Sequence, residues 1–527
     1  MTEARHDETD MLKRIVAMGI TLSTEPNIDR LLELILELSQ SLLHADGGTL
    51  YRLTPEGQLR FTIVRNHSLK IKMGGTGGSP IDLNQMKDLP LLVDGKPNHQ
   101  NIAAHSAITK QIFNIEDAYD AKGFDFSGAK TFDERMHYRT QSVLAIPLID
   151  HEKKVLGVLQ FINALDDKNV RIPFSAFHQN IAESLASQAA ISLQNRLLIN
   201  QLNQLFEALI NLINTAIDEK SPYTGGHCMR VPELTLMLAE ASHQETTGPL
   251  ASFHLTDKDR YELKIASMLH DCGKITTPVH VVDKGRKLET IFDRMALIKA
   301  RFEIARRDLQ IACIKEIMKA PEQETDIAKT YKTAEEKLID DLKFLETANV
   351  GGERMKDQDI NRIREIATLT WMDCEGKKQP LLTDEEVYNL SIVAGTLTKE
   401  ERDIINHHIE ATIKLLNQIP WPEHLKNVVE YAGGHHERMD GKGYPKGLKR
   451  DEMSIQARCM GIADIFEALT ASDRPYKKGM PLSQSLAIMN RMKDEGHIDP
   501  DLFDVFMKHQ IYLDYAKKFL TSEQIDI

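Results

Sequence analysis

Cysteine is scarce in this chain, and its placement removes two classes of protein. Cys228, Cys272, Cys313, Cys374 and Cys459 are widely separated and form no Cys-x-x-Cys pair. Neither a zinc knuckle nor a disulfide framework is expected, and a reducing compartment is the default. Positive charge is also in deficit. Lys and Arg number 65 against 78 Asp and Glu, a net charge of −13. General nucleic-acid binding is therefore not expected, because phosphate backbones are held by clustered cations. A small phosphorylated ligand gripped by a few local cations stays compatible with this balance. No apolar run approaches the ~20 residues of a spanning helix. Met1 to Asp10 is polar and acidic, unlike a signal peptide. The expectation is a cytoplasmic protein with no membrane and no nucleic-acid partner. No internal repeat of about 20–50 residues is visible.

What is present is room and pattern. The chain has 527 residues, enough for roughly three domains of ordinary size. Hydrophobic content of 42% and charged content of 27% are ordinary for a folded chain. Residues 1–19 read as a disordered or short helical lead-in. From Ile28, the apolar positions Leu31, Leu32, Ile35, Leu36 and Leu42 make a helical stripe. Strand-like runs follow at 49–53 and 59–64. The runs 142–149 and 155–162 then flank the polar stretch 150–154, a hairpin pattern. An α+β domain at 20–165 is predicted.

The opening helix, "GGTLYRL", "AYDAKGFDFSGAKTFDERMHYRTQSVLAIPL" and "GVLQFINALDD" together resemble a GAF domain. The middle piece is similar to GAF domains that bind cyclic nucleotides. That subgroup has Asn-Lys where this chain has Asn163-Ala164, and its acidic pair is missing after Phe174. The resemblance thus implies the GAF fold, used for dimerisation or for an unknown small ligand.

Residues 178–220 lack proline and glycine and read as one helix within a 166–220 linker. Leu198, Leu202, Leu205, Leu209, Leu212 and Ala216 alternate at four and three residues, the seam of a coiled coil. A parallel homodimer connector is predicted. Residues 221–527 read as mostly helical, interrupted at 290–395 by a charged insertion. Its two amphipathic stretches, "FDRMALIKARFEIARRDLQIACIKEIMKA" and "AEEKLIDDLKFLETAN", are joined by "PEQETDIAKTYKT" and suggest an αα-hairpin. The fold class is multidomain: α+β, then a coiled-coil helix, then an all-α bundle with a helical insertion.

Five separated segments of the helical part supply metal-ligand chemistry. They are His227 after Tyr223-Thr224-Gly225-Gly226, the run His270-Asp271-Cys272-Gly273-Lys274, His408, the pair His435-His436, and Asp464. Neutral imidazoles and carboxylates in this mixture suit a binuclear oxygen/nitrogen site. Adjacent His270 and Asp271 serve one cluster only if the helix passes it tangentially, which makes Asp271 the candidate bridge. The run from His435 to Pro445 adds two acids and a Gly-Lys-Gly-Tyr-Pro loop, whose glycines let the backbone come close to a ligand.

In this order the segments resemble the HD-GYP family, a branch of the HD-domain metal-dependent phosphohydrolases. The pattern is an early histidine, His-Asp-x-Gly-Lys, a later histidine, His-His-Glu-x-x-Asp-Gly-x-Gly-Tyr-Pro, and an aspartate before an Arg-Pro-Tyr turn. All are here, over about 205–290 and 395–515. The resemblance implies a helical bundle that hydrolyses cyclic di-GMP to pGpG or GMP, or the related cyclic GMP-AMP. Carried over, one ion is held by His227, His270, Asp271 and Asp464, and the second by Asp271, His408, His435 and His436. The register favours His408 over His407. A glutamate that marks trinuclear members is Tyr223 here, so two ions are expected rather than three. Iron or manganese suits the ligands, with zinc and nickel as alternatives.

The implied chemistry is in-line attack on phosphorus by a metal-activated hydroxide. Lys274, one helical turn after His270, is expected to place charge on the phosphate. Arg474 and Lys477 are expected to grip the second phosphate. Gly443, Tyr444 and Pro445 are expected to line the guanine pocket or to dock a protein partner; the insertion is the other candidate partner surface. Glu437, Asp440 and Glu467 are expected to support the ligands. The other two readings of the same residues are an HD-type nucleotidase or phosphatase and a non-catalytic cyclic dinucleotide receptor.

Overall fold

The computed structural model describes residues 13, 16–82, 86–220, 226–351, 354–472 and 479–527. They fall in two compact units, Met1–Phe206 and Glu207–Ile527. In the first, α1 (Ile28–Leu42) starts where Asn27 accepts a hydrogen bond from the Arg30 amide. Its stripe Leu31, Leu32, Ile35 and Leu36 is buried, and each such side chain contributes about 1.5–3 kcal/mol.

That stripe covers an eight-stranded antiparallel sheet. Its strands are β1 (Ala45–Leu53), β2 (Gln58–Asn66), β3 (Ile71–Gly74), β4 (Leu89–Pro90), β5 (Phe113–Ile115), β6 (Val143–Ile149), β7 (Val155–Leu165) and β8 (Arg171–Ile172). The order is β3-β2-β1-β7-β6-β5, with β4 on β2 and β8 on β7. The β6–β7 hairpin pairs Val143 with Ile162, and this register decides which residues of both strands face the core. The unit also holds α2 (Ile102–Thr109) and α3 (Ser127–Met136).

The core of this unit runs past the boundary expected at 165. α4 (Ala176–Lys220) begins with an apolar face, and Ile181, Leu185, Ala189 and Leu193 join the core of α1 and the sheet. Of the lead-in, residues 1–12, 14 and 15 lie outside the described residues, whereas Met18 is buried in that same core.

The second unit is helical. Its framework is α5 (His227–His243), α6 (Asp257–Leu269), then, beyond the insertion, α11 (Lys399–Leu416), α12 (Val428–Gly433) and α13 (Ile455–Thr470). Outside them stand α14 (Leu482–Asp494), α15 (Pro500–Lys508) and α16 (Ile511–Phe519). α5 lies against both α6 and α13, and α12 lies against α6. Capping boxes start α6 at Thr256 and Asp259 and α11 at Thr398 and Glu401, which satisfies amides that a helix end leaves unpaired.

The insertion holds α7 (Met295–Lys319), α8 (Glu324–Asn349), α9 (Asp357–Ala367) and α10 (Asp384–Leu390) around its own core of Ile298, Phe302, Leu345, Ile363 and Leu390. The expected connector at 321–333 is mostly helix. It has no glycine, and its one proline stands in the short turn Pro321–Gln323, which leads directly into α8. A proline is tolerated at such a start because its missing amide has no helical partner to lose.

Candidate metal centre

Five segments converge in the second unit. His227 opens α5. α6 ends at Leu269, His270 caps it, and Asp271 leads into a 3₁₀ turn, Cys272–Thr276. α11 carries His408, the chain leaving α12 delivers His435 and His436, and α13 carries Asp464 and Glu467.

Asp271 lies at the middle. Its Oδ2 is 3.2 Å from His227 Nε2 and 3.3 Å from His270 Nε2, while its Oδ1 is 3.3 Å from His408 Nε2. Asp464 Oδ1 is 3.3 Å from His227 Nε2. The ligand atoms of His227, His270 and Asp271 lie within 4.8 Å of one another, as do those of His408, His435 and His436. His407 points away, 64% exposed and paired with Glu410 at 2.8 Å.

Three imidazoles are oriented alike. Nδ1 of His270 donates to the Ser267 carbonyl at 2.7 Å, Nδ1 of His435 donates to the Ala432 carbonyl at 2.7 Å, and Nδ1 of His408 donates to the Ile405 carbonyl. A carbonyl only accepts, so the proton stays on Nδ1 and Nε2 keeps its lone pair for an ion. Among the described residues, Nε2 of His408, Nε2 of His435 and Oδ1 of Asp271 are buried without a hydrogen-bond partner. Buried polar atoms are seldom left so. This donor set fits a divalent metal.

Burial would lower the His227 imidazole, but Glu467, Asp271 and Asp464 hold it well above its ordinary value, and a metal at its Nε2 competes with that proton. Burial would push the Asp271 carboxyl up, but Lys274 and the surrounding imidazoles hold it well below the usual range, since nearby positive charge favours the ionised form. Burial lowers His436 to about 4 and takes His435 well below its ordinary value, so both imidazoles are neutral near pH 7.

The expectation that Lys274 aligns with His270 along one helix is corrected. The helix stops at His270, and Lys274 Nζ instead bonds Asp271 Oδ2 at 2.5 Å. The cause is Gly273. A Cβ on that residue would stand 2.0 Å from the His408 carbonyl oxygen. Only glycine therefore lets the turn lie on α11. Gly273 N donates to Thr412 Oγ1 at 2.9 Å, and that hydroxyl donates to the His270 carbonyl at 3.2 Å. From outside, Lys220 at the end of α4 donates to the carbonyls of Ile275 and Thr277 at 2.5 and 2.6 Å.

Two expected supports act elsewhere. Glu437 accepts from the Lys446 and Leu448 amides at 2.7 and 2.9 Å, and Asp440 accepts from Arg438 and from the Lys442 amide. Both shape the loop at 441–445 rather than orient an imidazole. That loop folds back tightly: a Cβ at Gly443 would be 2.4 Å from the Arg438 nitrogen. Tyr444, before Pro445, stacks on His436 at 4.9 Å and 27°. Glu467 does meet an imidazole, with Oε2 2.5 Å from His227 Nδ1. Tyr223, Arg474 and Lys477 lie outside the described residues.

Sequence reasoning missed Arg230, which grips Glu467, and Lys220. The spacing of Arg230, three residues after His227 on one helix face, was an available signal. Lys220 had none, because its partners are carbonyls brought together only by folding.

Family models match this chain twice: GAF domain at residues 27–193 and HD domain at residues 383–502. The second match contains His408, His435, His436 and Asp464; the structure adds His227, His270 and Asp271 from before the insertion. 3'3'-cGAMP-specific phosphodiesterase 3 of Vibrio cholerae is 38% identical over 114 residues, 22% of this chain and 24% of that protein. 3'3'-cGAMP-specific phosphodiesterase 1 of the same organism is 43% identical over 82 residues, 16% of this chain and 19% of that protein. A cyclic di-GMP phosphodiesterase of Pseudomonas aeruginosa is 38% identical over 114 residues, 22% of this chain and 26% of that protein. The chain thus spans about a quarter or less of the length of these curated relatives. The HD domain implies a divalent metal cofactor. Among the described residues, no helix is long and apolar enough to cross a membrane. The chain carries an N-terminal GAF domain and a C-terminal HD domain, and its His-Asp and Gly-Tyr-Pro motifs are consistent with an HD-GYP protein.

Proposed function

We propose that this protein is a metal-dependent phosphodiesterase that hydrolyses a cyclic dinucleotide, cyclic di-GMP to pGpG or GMP, under the influence of its GAF domain. The observation that carries this reading is the divided carboxylate of Asp271: Oδ2 faces His227 and His270, and Oδ1 faces His408. One carboxylate placed between two imidazole groups is suited to bridging two ions.

On this reading His227, His270, Asp271 and Asp464 hold one ion, and Asp271, His408, His435 and His436 hold the other, with iron or manganese the metals that suit the set. When bound, such ions activate water and neutralise charge on a phosphate oxygen. Lys274, beside Asp271 and partly exposed, faces a bound phosphate with positive charge. Tyr444, held flat on His436, offers its ring to stack on a guanine. Gly443 and Pro445 fix the path of its loop. The five free cysteines accord with a cytoplasmic setting. Leu198, Leu202, Leu205, Leu209 and Leu212 of α4 are all exposed. Their heptad spacing supports pairing with the same helix of a second copy.

Two of the relatives above are named as cGAMP-specific, so cyclic GMP-AMP is the alternative substrate. The test is anaerobic purification, metal analysis, and chromatographic product analysis on both dinucleotides. Conversion of either to a linear product, dependent on bound metal, is expected. Loaded enzyme that leaves both intact would sink the proposal.

A further inference from the structure

We infer that Arg230 is a positioning residue of the metal centre: it locks Glu467, and Glu467 in turn locks the His227 imidazole with Nε2 toward the ion site. This rests on the metal-centre reading above and extends it to a residue outside the ligand set.

The need for such a device arises from where His227 sits. His270, His408 and His435 each donate Nδ1 to the carbonyl three residues earlier. His227 is the first residue of α5, and Gly226 before it has φ of +85°, so the chain has left the helical path. The position three residues earlier lies before α5 begins, outside its hydrogen-bonded turns. A carboxylate from another helix takes that place: Glu467 Oε2, 2.5 Å from His227 Nδ1. Glu467 lies three residues after Asp464 on α13, so a single helix face delivers a candidate ligand and its support.

Glu467 is fully buried, and a buried carboxylate is tolerated only when paired and hydrogen-bonded. Arg230 meets that requirement. Its Nε and Nη2 both donate to Glu467 Oε1, at 2.8 and 2.6 Å, which leaves Oε2 for the imidazole. The two donors come from one rigid guanidinium, so they set the direction of the carboxylate as well as its charge; a lysine supplies a point charge without that direction. Arg230 is itself one turn after His227 on α5. The loop His227–Glu467–Arg230 therefore closes between two helices and fixes one ring.

The experiment uses the full chain and Mn(II) alone, with no substrate. Wild type, Arg230→Gln and Arg230→Lys are compared by equilibrium dialysis, with circular dichroism to check folding and the imidazole ¹⁵N shifts of His227 to read its tautomer. Arg230→Gln is expected to weaken one of the bound ions about 10–100-fold, the usual scale for groups that orient a ligand, and to mix the His227 tautomers. Arg230→Lys should restore part of the affinity. A folded Arg230→Gln protein with unchanged Mn(II) affinity and an unchanged His227 tautomer overturns the inference and leaves the metal centre standing. If Arg230→Gln does not fold, unchanged affinity and tautomer in Arg230→Lys have the same meaning. A wild type that binds no Mn(II) overturns both readings.

Discussion

In the sheet unit, the buried Glu33 carboxylate accepts from Arg65 at 2.6 Å, Arg30 at 2.7 Å and Thr76 at 2.6 Å. In the helical unit, the equally buried His408 and His435 each leave Nε2 without a partner among the described residues. Both regions take charge and polarity out of water, where each group costs several kcal/mol unless compensated (~2–7 kcal/mol for a neutral one). The first region closes its network on itself. The second leaves lone pairs aimed at a common space. A closed network is explained by stability alone, whereas converging imidazoles and a carboxylate left open suit a group from outside the chain.

The sharpest way to break this contrast is to remove the shared carboxylate. Asp271→Ala should abolish metal loading and turnover together while the sheet unit keeps its fold; plasma emission analysis and a cyclic di-GMP assay report both. Glu33→Ala should do the converse. It takes from Arg65 one of its two carboxylate partners, Glu37 remaining at 3.1 Å, and should destabilise that unit by about 1–3 kcal/mol, the scale for lost charge-assisted hydrogen bonds, read by denaturant unfolding, with metal content unchanged.

The closed network also carries a pH signature. Burial raises the Glu33 carboxyl, but the hydrogen bonds from Thr76, Arg30 and Arg65 bring it down to about 2 from an ordinary 4.5. Between those values the unfolded chain binds the proton and the folded chain does not, so stability falls as pH falls through this window. The shift corresponds to about 3 kcal/mol. Glu33→Gln should flatten that part of the acid unfolding profile relative to wild type; an identical profile would show that Glu33 does not carry it.

Adjacent histidines sharpen the comparison further. His408→Gln should lower the metal content, from two ions to one on the proposed reading. His407→Gln, on the exposed side, should stay within about 0.5 kcal/mol of wild type in stability and keep both ions. At Lys220 the expected effect is smaller than the loss of an ion. Lys220→Ala frees the carbonyls of Ile275 and Thr277. Amide exchange around the turn after Asp271 should then quicken by on the order of tenfold, about 1.4 kcal/mol. Unchanged exchange there would separate the end of α4 from the metal centre.

Several features were legible because they are local. The stripe from Leu31 to Leu36, the β6–β7 hairpin and the unbroken helix to Lys220 follow from periodicity and from where glycine and proline are missing. The candidate ligands His227, His270, Asp271, His408, His435, His436 and Asp464 could be picked out from chemistry and order, and the structure brings them together. The end of α6 at His270 was not. It depends on Gly273 meeting the His408 carbonyl, on a helix far along the chain, only after folding. Nor was the true extent of the first unit, because Ile181 to Leu193 read equally well as connector and as core.

By itself, then, the sequence determined which atoms are available: seven candidate ligands, a cation beside them, a tight glycine loop, and separate apolar stripes for two units. Periodicity and side-chain chemistry are short-range properties, and they survive in a one-dimensional reading. Only the tertiary structure decided which carboxylate oxygen faces which imidazole, that Glu437 serves a loop while Glu467 serves His227, and that Arg230 completes the latter. Those choices depend on distances of about 3 Å between residues far apart in the chain, a scale on which hydrogen bonds form or fail.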